Sequence, residues 1–481
     1  MILERDGSRQ NFLVRGLRGA GSALRRQPVE GWAVAGAAAA LYTVFSITQW
    51  NRFDIPSWDL GIFTQLAKAY AGLDAPIVPI KGHGFNLLGD HFHPLLVLLG
   101  PAYAFFPSAL TLLVVQNLLV GWSALVLTRL AVRHVGRMPG LFLGAAYALS
   151  WGIQSAVAVQ FHEVALALPL LALAMEAYIE GRLRTAVVVS GLLVFVKEDM
   201  GLTVFAFGLV LAWRFRSRYL AGLGLALWGL AWVALSVGVI LPALNSGGTY
   251  DYSDRIDIDA LLADPLPTLF AMLTAEQKYE TLWLLLLAGG FLFLRSPLAW
   301  VMLPTLLWRF AAANESYWGP GWHYNAVLMP VLFGALIHAI LLARRSNRSW
   351  LRSYSAAVVP VVSVVALMLL PGQPLAALSK PETFQQSPRW DAAHRMMDRI
   401  PEGSTVETGV VLMPYLVPDA EVYWIGNENP APDYLVVDAE DFSWGPVRPA
   451  TAEQHAEETW PGEDYTLVFD EAGYQLVRRV G

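Results

Sequence analysis

Runs of about 20 apolar residues recur along this chain, and arginines close off many of them. A helix of that length spans the hydrocarbon core of a bilayer. Lipid offers the backbone no hydrogen bonds, so such runs must fold as helices whose bonds close on themselves. Composition agrees. Of the 481 residues, 55% are hydrophobic and 15% charged, whereas soluble domains carry roughly 25% charge. That excludes one or two water-facing domains, and the chain is too apolar for disorder. The absence of cysteine excludes a disulfide-built fold. A net charge of −6 argues against nucleic acid as a partner. A polytopic membrane protein, with the lipid bilayer as its first partner, is the class that survives.

Charge orients the ends. Six arginines (Arg5, Arg9, Arg15, Arg18, Arg25 and Arg26) precede the first run, Gly31 to Trp50. The positive-inside rule assigns residues 1–29 to the cytoplasm. A polar first external loop then occupies residues 51–93, far longer than an ordinary connector. The apolar piece from Pro94 to Pro107 is too short to span and suits a re-entrant or interfacial segment. Residues 185–213 form one apolar stretch interrupted by Lys197-Glu198-Asp199, with arginines flanking both ends. Two short helices meeting at an outer tip satisfy both ends. Continued to residue 371, this pattern predicts 11 spans, with the N-terminus cytoplasmic and the C-terminus extracytoplasmic. The second and third external loops fall at 245–280 and 308–323.

From about residue 376 the character changes. Residues 376–481 carry a net charge of −12 and the remainder +6. A helix-like segment at 388–400 precedes short apolar runs at Thr405–Val411, Glu421–Ile425, Tyr434–Val437, Tyr465–Phe469 and Tyr474–Val480. Turn signals separate them. The pattern predicts a basic tail at 1–29, a transmembrane domain at 30–375 and a small extracytoplasmic α/β domain at 376–481.

Ionisable groups at membrane depth are functional candidates, and the external side gathers them. Asp59 opens a helix-like run after Pro56 and Ser57. There it either complements the helix dipole, worth about 0.3–1 kcal/mol, or serves as a base or metal ligand. Asp90, His91 and His93 offer a carboxylate and two imidazoles within four residues. That donor set suits Mn²⁺ or Zn²⁺, Mg²⁺ preferring oxygens, or else forms a capped polar turn. His162 and Glu163 begin an inward span. Lys197, Glu198 and Asp199 either neutralise one another as a structural ion network or present Lys197 to a phosphate as a point charge. Arg309 and His323 flank the third loop, where Trp322-His323-Tyr324 also suits an interfacial aromatic belt. Gly247-Gly248-Thr249-Tyr250-Asp251-Tyr252-Ser253-Asp254 in the second loop, acidic and aromatic, suits a lid or a solvated loop equally. No Walker loop, dinucleotide fingerprint or hydrolase elbow stands in a supporting context.

Five motifs occur in order: Trp58-Asp59-Leu60-Gly61-Ile62-Phe63 with Gln65, Gly89-Asp90-His91-Phe92-His93-Pro94, Phe161-His162-Glu163, Val196-Lys197-Glu198-Asp199 and His323-Tyr324. Together they resemble a domain-of-unknown-function family of bacterial multi-pass membrane proteins whose architecture is similar to the GT-C glycosyltransferases. The resemblance implies an all-α polytopic, GT-C-like fold in the bacterial plasma membrane, with the small α/β domain outside. It implies transfer of a sugar from a polyprenyl-phosphate donor to an extracytoplasmic glycan, lipid or protein acceptor. A divalent metal, Mg²⁺ or Mn²⁺, is the cofactor it raises. By position Asp59 matches the acidic residue of the long first loop, and Glu163 is the second acid. His162, Lys197, Arg309, His323 and Gln65 are the candidates for the lipid phosphate and substrate. Many relatives in that superfamily show two adjacent acids in the first loop, whereas Asp59 stands between Trp58 and Leu60. Two other readings stay open. One is a transporter or flippase with the Lys-Glu-Asp triplet as an ion relay, for which internal repeats are expected and none is visible. The other is a non-enzymatic cell-envelope scaffold with a binding tail.

Overall fold

The computed structural model describes residues 27–252, 274–444 and 451–480. The six N-terminal arginines and Ser253-Asp254 of the second loop lie outside the described residues. Five described helices are long and apolar enough to cross a membrane: Val29–Asn51, Ala109–Val135, Arg137–Ala158, Arg216–Leu244 and Ser349–Gly372. Leu183–Phe195, Met200–Arg214 and Leu328–Arg344 are shorter apolar helices. Residues from every one of these helices share one large core. The polypeptide leaves regular helix between Phe195 and Met200, where the charged triplet interrupts the apolar stretch. Pro94–Phe105 is a short helix with Val97, Leu98, Phe105 and the following Phe106 exposed, as an interfacial segment presents its apolar side.

Lipid supplies no hydrophobic drive between helices, so close packing of small residues has to hold them. Met200–Arg214 and Tyr219–Leu235 meet backbone to backbone. A Cβ on Gly208 would lie 2.5 Å from the Ala226 nitrogen, and one on Gly222 would lie 2.3 Å from the Ala212 nitrogen. Near the far end of Ala109–Val135, Arg129 grips the buried Glu176 with two bonds of 2.7 and 2.6 Å. A forked, charge-assisted pair satisfies both groups away from water.

The C-terminal region is a five-stranded sheet flanked by short helices. Its strands are β1 (Thr405–Thr408), β2 (Glu421–Trp424), β3 (Tyr434–Asp438), β4 (Tyr465–Glu471) and β5 (Tyr474–Arg479). The order is β2-β1-β3-β5-β4. β1 runs parallel to β2 and β3, and β5 antiparallel to β3 and β4. Each of the five apolar runs in the tail forms one strand, and Trp390–Met397 is the helix before them.

This sheet does not stand apart from the membrane body. Val406, Val422 and Val436 share a core with Leu60, Phe63 and Leu66 of the first-loop helix Asp59–Ala71. Polar clasps fix the register. Gln65 Nε2 donates to Val422 O at 3.1 Å while its Oε1 accepts from Ile80 N at 3.0 Å. Lys68 Nζ donates to Val417 O and Ala420 O. The sheet is a buttress for the helix that begins at Asp59.

Overpacking a tight core contact costs about 1–3 kcal/mol. Gly208→Val is therefore expected to lower the melting temperature of the purified protein. Gly224→Ala is the control, because no heavy atom lies within 4 Å of that Cβ position. Superimposable melting curves for Gly208→Val and the parent would refute the backbone contact.

Candidate functional site

A cavity of about 580 Å³ opens between the first loop, the residues at 162–163 and 197–199, and the second and third loops. Its size lies in the range of small-molecule sites. Asp59, Asp90, His91, His93 and His323 line it, together with His162-Glu163 and Lys197-Glu198-Asp199. Sequence positions separated by up to 264 residues thus face one space.

Asp59 occupies the first position of helix Asp59–Ala71. Ser57 Oγ donates to its Oδ2 at 2.7 Å, and His162 Nε2 lies 3.5 Å from the same oxygen. The Asp59 side chain is 29% exposed, which leaves it open to the cavity. Burial pushes its carboxyl up, but His162 and Ser57 outweigh burial and hold it at about 2. Burial pulls His162 down, and the carboxylates of Asp59 and Glu163 overcome it and raise its pKa. His162 stacks on His323 with ring centroids 3.8 Å apart. Burial, with the neighbouring His162, keeps His323 well below the ordinary histidine value and therefore neutral. Both rings follow strained backbone. Gln160 has φ 69° and Trp322 has φ 60°, a region that such side chains seldom adopt outside functional sites.

Lys197 Nζ lies 2.7 Å from Glu163 Oε1, tying the helix break to the start of the inward helix. Glu198 turns elsewhere. It pairs with His91 Nδ1 at 2.7 Å and accepts from Phe92 N at 3.0 Å. Tyr252 reaches in from the second loop, stacking on His91 at 4.5 Å and donating to Asp90 Oδ1 at 2.6 Å. Besides Glu163 Oε1, which is ion-paired with Lys197, four cavity-lining groups keep a buried polar atom with no hydrogen-bond partner among the described residues: His93 Nδ1, Asp199 Oδ1, Trp308 Nε1 and His323 Nδ1. Buried polar atoms are normally partnered, so these four leave hydrogen-bonding capacity in the cavity wall.

The expected donor set for a divalent metal is not assembled. Asp90 goes to Lys81 at 3.3 Å and to Tyr252, and His91 goes to Glu198. Among the described residues no three His, Asp or Glu side chains are grouped to hold a metal ion.

Gln65 and Arg309 are not in the cavity wall. Gln65 clasps β2, as described above. Arg309 is fully buried and donates to Tyr317 O, Asn325 Oδ1 and Gly319 O. Its guanidinium holds the third loop in shape and, through that loop, places Trp322 and His323.

Sequence reasoning missed Lys81, which pairs with Asp90 and sits 4.8 Å from the Trp58 ring centroid. The available signal was the glycine-bracketed turn after it. Gly82 and Gly84 take φ values of 138° and 70°, and glycine adopts these without strain. The aromatic wall of Trp58, Trp308, Trp322 and Tyr324 was also missed as a unit.

Comparison with known proteins bears on the fold. ArnT from Cupriavidus metallidurans bound to undecaprenyl phosphate is similar, with a TM-score of 0.54 and 12% identity over 94% of this chain and 98% of that one. ArnT in the apo state gives 0.50 and 14% over 92% and 97%. The Archaeoglobus fulgidus oligosaccharyltransferase tethered with an acceptor peptide gives only 0.40 at 13%, over 85% and 69%, and carries no weight. At such identities the likeness concerns the fold alone, which is similar to that of ArnT and so GT-C-like. A search of curated proteins finds no match. The family model described as "Predicted membrane protein (DUF2079)" matches residues 51–476, from the first external loop to the last strand, and the chain belongs to that family.

Proposed function

We propose that this protein is an integral membrane glycosyltransferase that moves a sugar from a polyprenyl-phosphate carrier to an extracytoplasmic acceptor. One observation carries the reading. A partly exposed carboxylate, Asp59, and a lysine, Lys197, share a cavity whose wall also holds four unmet polar atoms. The similar fold of ArnT, a protein seen with undecaprenyl phosphate, supports a lipid phosphate as the donor's leaving group.

The chemistry follows from these groups. The acceptor hydroxyl oxygen attacks the anomeric carbon, and the bond from that carbon to the phosphate oxygen breaks. The phosphate departs with the bonding pair, and Lys197 stabilises its charge. The attacking oxygen becomes a strong acid as its new bond forms, so even a carboxylate held at about 2 can take the proton. Asp59 is the base. His162 orients it, and Glu163 holds the Lys197 ammonium in the cavity wall. The aromatic wall offers faces on which a sugar ring can lie.

Asp59→Asn is expected to abolish transfer by the purified enzyme, a loss of at least a hundredfold, with the melting temperature little changed. The range expected for general base catalysis is about 10²–10⁴-fold. Undiminished transfer by a folded variant would remove Asp59 from the chemistry.

The pH profile has a definite sign. The raised His162 pKa means that its ion pair with Asp59 is fully present below the unfolded value of about 6.5 and is lost as pH rises through the folded value. Transfer should therefore fall on the alkaline side, and His162→Gln should flatten that limb while lowering the plateau. An unaltered alkaline limb in His162→Gln would assign the titration to another group.

The sheet packs on the first loop, which lines the cavity. Sheet and cavity are therefore on one side of the membrane. Protease added to intact cells should cleave residues 376–481, whereas cleavage only in inverted vesicles would place both in the cytoplasm.

A further inference from the structure

A second cavity, of about 270 Å³, lies where helix Val29–Asn51 ends and the segment after Ser349–Gly372 passes beside it. Its uncharged side chains offer acceptors. Gln49 is 6% exposed, and its Nε2 is used on Ala158 O at 2.8 Å. Its Oε1 has no hydrogen-bond partner among the described residues. The hydroxyls of Thr48 and Thr383 donate to Phe45 O and Ala377 O, each at 2.7 Å, so towards the cavity they offer lone pairs. Asp54 and Glu382 add carboxylates. The pocket thus asks for a donor with several N–H groups. Two cations, Arg52 and Lys380, also line it. Lys380 has no carboxylate within 4.0 Å among the described residues. Two cations and two carboxylates complement a zwitterion.

The position selects the source. Trp50 closes one membrane-length helix, and exposed Leu367 and Met368 close another, so the cavity lies at the level of the lipid head groups. Phe45 lines it from the helix side, and Phe384 beside Thr383 is 55% exposed. From these observations we infer that this cavity binds the head group of an amine-bearing phospholipid. The ammonium faces Gln49 Oε1 and the carboxylates, and the phosphate faces Arg52 and Lys380. The site is separate from the large cavity and does not depend on the transferase reading.

Native mass spectrometry of the full chain in mild detergent tests this, using phosphatidylethanolamine, phosphatidylcholine and phosphatidylglycerol as probes. Phosphatidylethanolamine should bind with unit stoichiometry and at least tenfold more tightly than the other two. Choline keeps the charge but has no N–H, and the glycerol head group has donors but no cation. Gln49→Leu and the double variant Arg52→Gln/Lys380→Gln should each lose at least tenfold. Arg52 and Lys380 are exposed, so the double variant keeps the test valid if Gln49→Leu fails to fold. Arg395→Gln, which removes an exposed cation of the C-terminal domain that does not line this cavity, should leave binding unchanged. Equal affinity for the three lipids, or loss of binding in Arg395→Gln, would overturn the assignment. Soluble phosphoethanolamine binding as tightly as the lipid would overturn the lipid source.

Discussion

A charge inside an apolar bundle must be paired or it costs several kcal/mol. The contact between Lys197 and Glu163 meets that requirement here, and much of the architecture follows from it. A lysine cannot sit in the middle of a straight apolar helix without a partner, so the polypeptide leaves the helix between Phe195 and Met200. Its partner begins another helix, and the 2.7 Å contact brings two chain reversals to the same level. Once those reversals are level, Glu198 reaches the first loop at His91 and Phe92 N. The cavity is the space that these pairings leave between the helix ends and the loop.

The first loop would not hold its side of that space alone. It is long and polar, and only one of its helices, Asp59–Ala71, exceeds a single turn. Packing on β1 to β3 gives that helix a buried face, and Gln65 and Lys68 prevent it from sliding along the sheet. The small domain therefore acts on the site mechanically. Removing it would expose Leu60, Leu66 and Ala67, each fully buried, and release the helix that carries Asp59.

The membrane class, the sheet domain and the helix break were legible in the sequence because each is written in local pattern. Hydropathy length marks the helices, short apolar runs mark the strands, and a charged triplet marks the interruption. The cavity's ionisable residues were legible for a related reason: in so apolar a chain, a charge away from the arginine clusters needs a place to go. What pattern cannot show is where a long side chain ends. Gln65 and Arg309 have the right chemistry for a polar ligand, yet both spend it on backbone carbonyls. Lys81 looked like a loop lysine, and only the fold turns it onto Asp90. The three residues expected as metal ligands diverge for the same reason. Asp90, His91 and His93 are close in sequence, but each takes a separate surrounding, with Asp90 on Lys81 and His91 on Glu198.

Residues 49–59 connect the two cavities, and their rigidity matters to both. Gln49 faces the smaller one and Asp59 the larger. Between them Phe53 takes a left-handed φ of 56°, a strained state for an aromatic residue that its surroundings must impose. The C-terminal domain imposes it. Phe53 packs against Trp390 and Tyr415, with centroids 5.2 and 4.8 Å away, while Tyr415 stacks on Trp50 and donates to its carbonyl. Across this turn, Gln160 Nε2 donates to Asp54 O at 3.1 Å, and the carbonyl of Gln160 lies 3.2 Å from His162 Nδ1. The imidazole beside Asp59 is thus positioned from a turn that also forms a wall of the second cavity. The smaller cavity and the His162–Asp59 pair thus share one stretch of backbone, which the C-terminal domain holds in place.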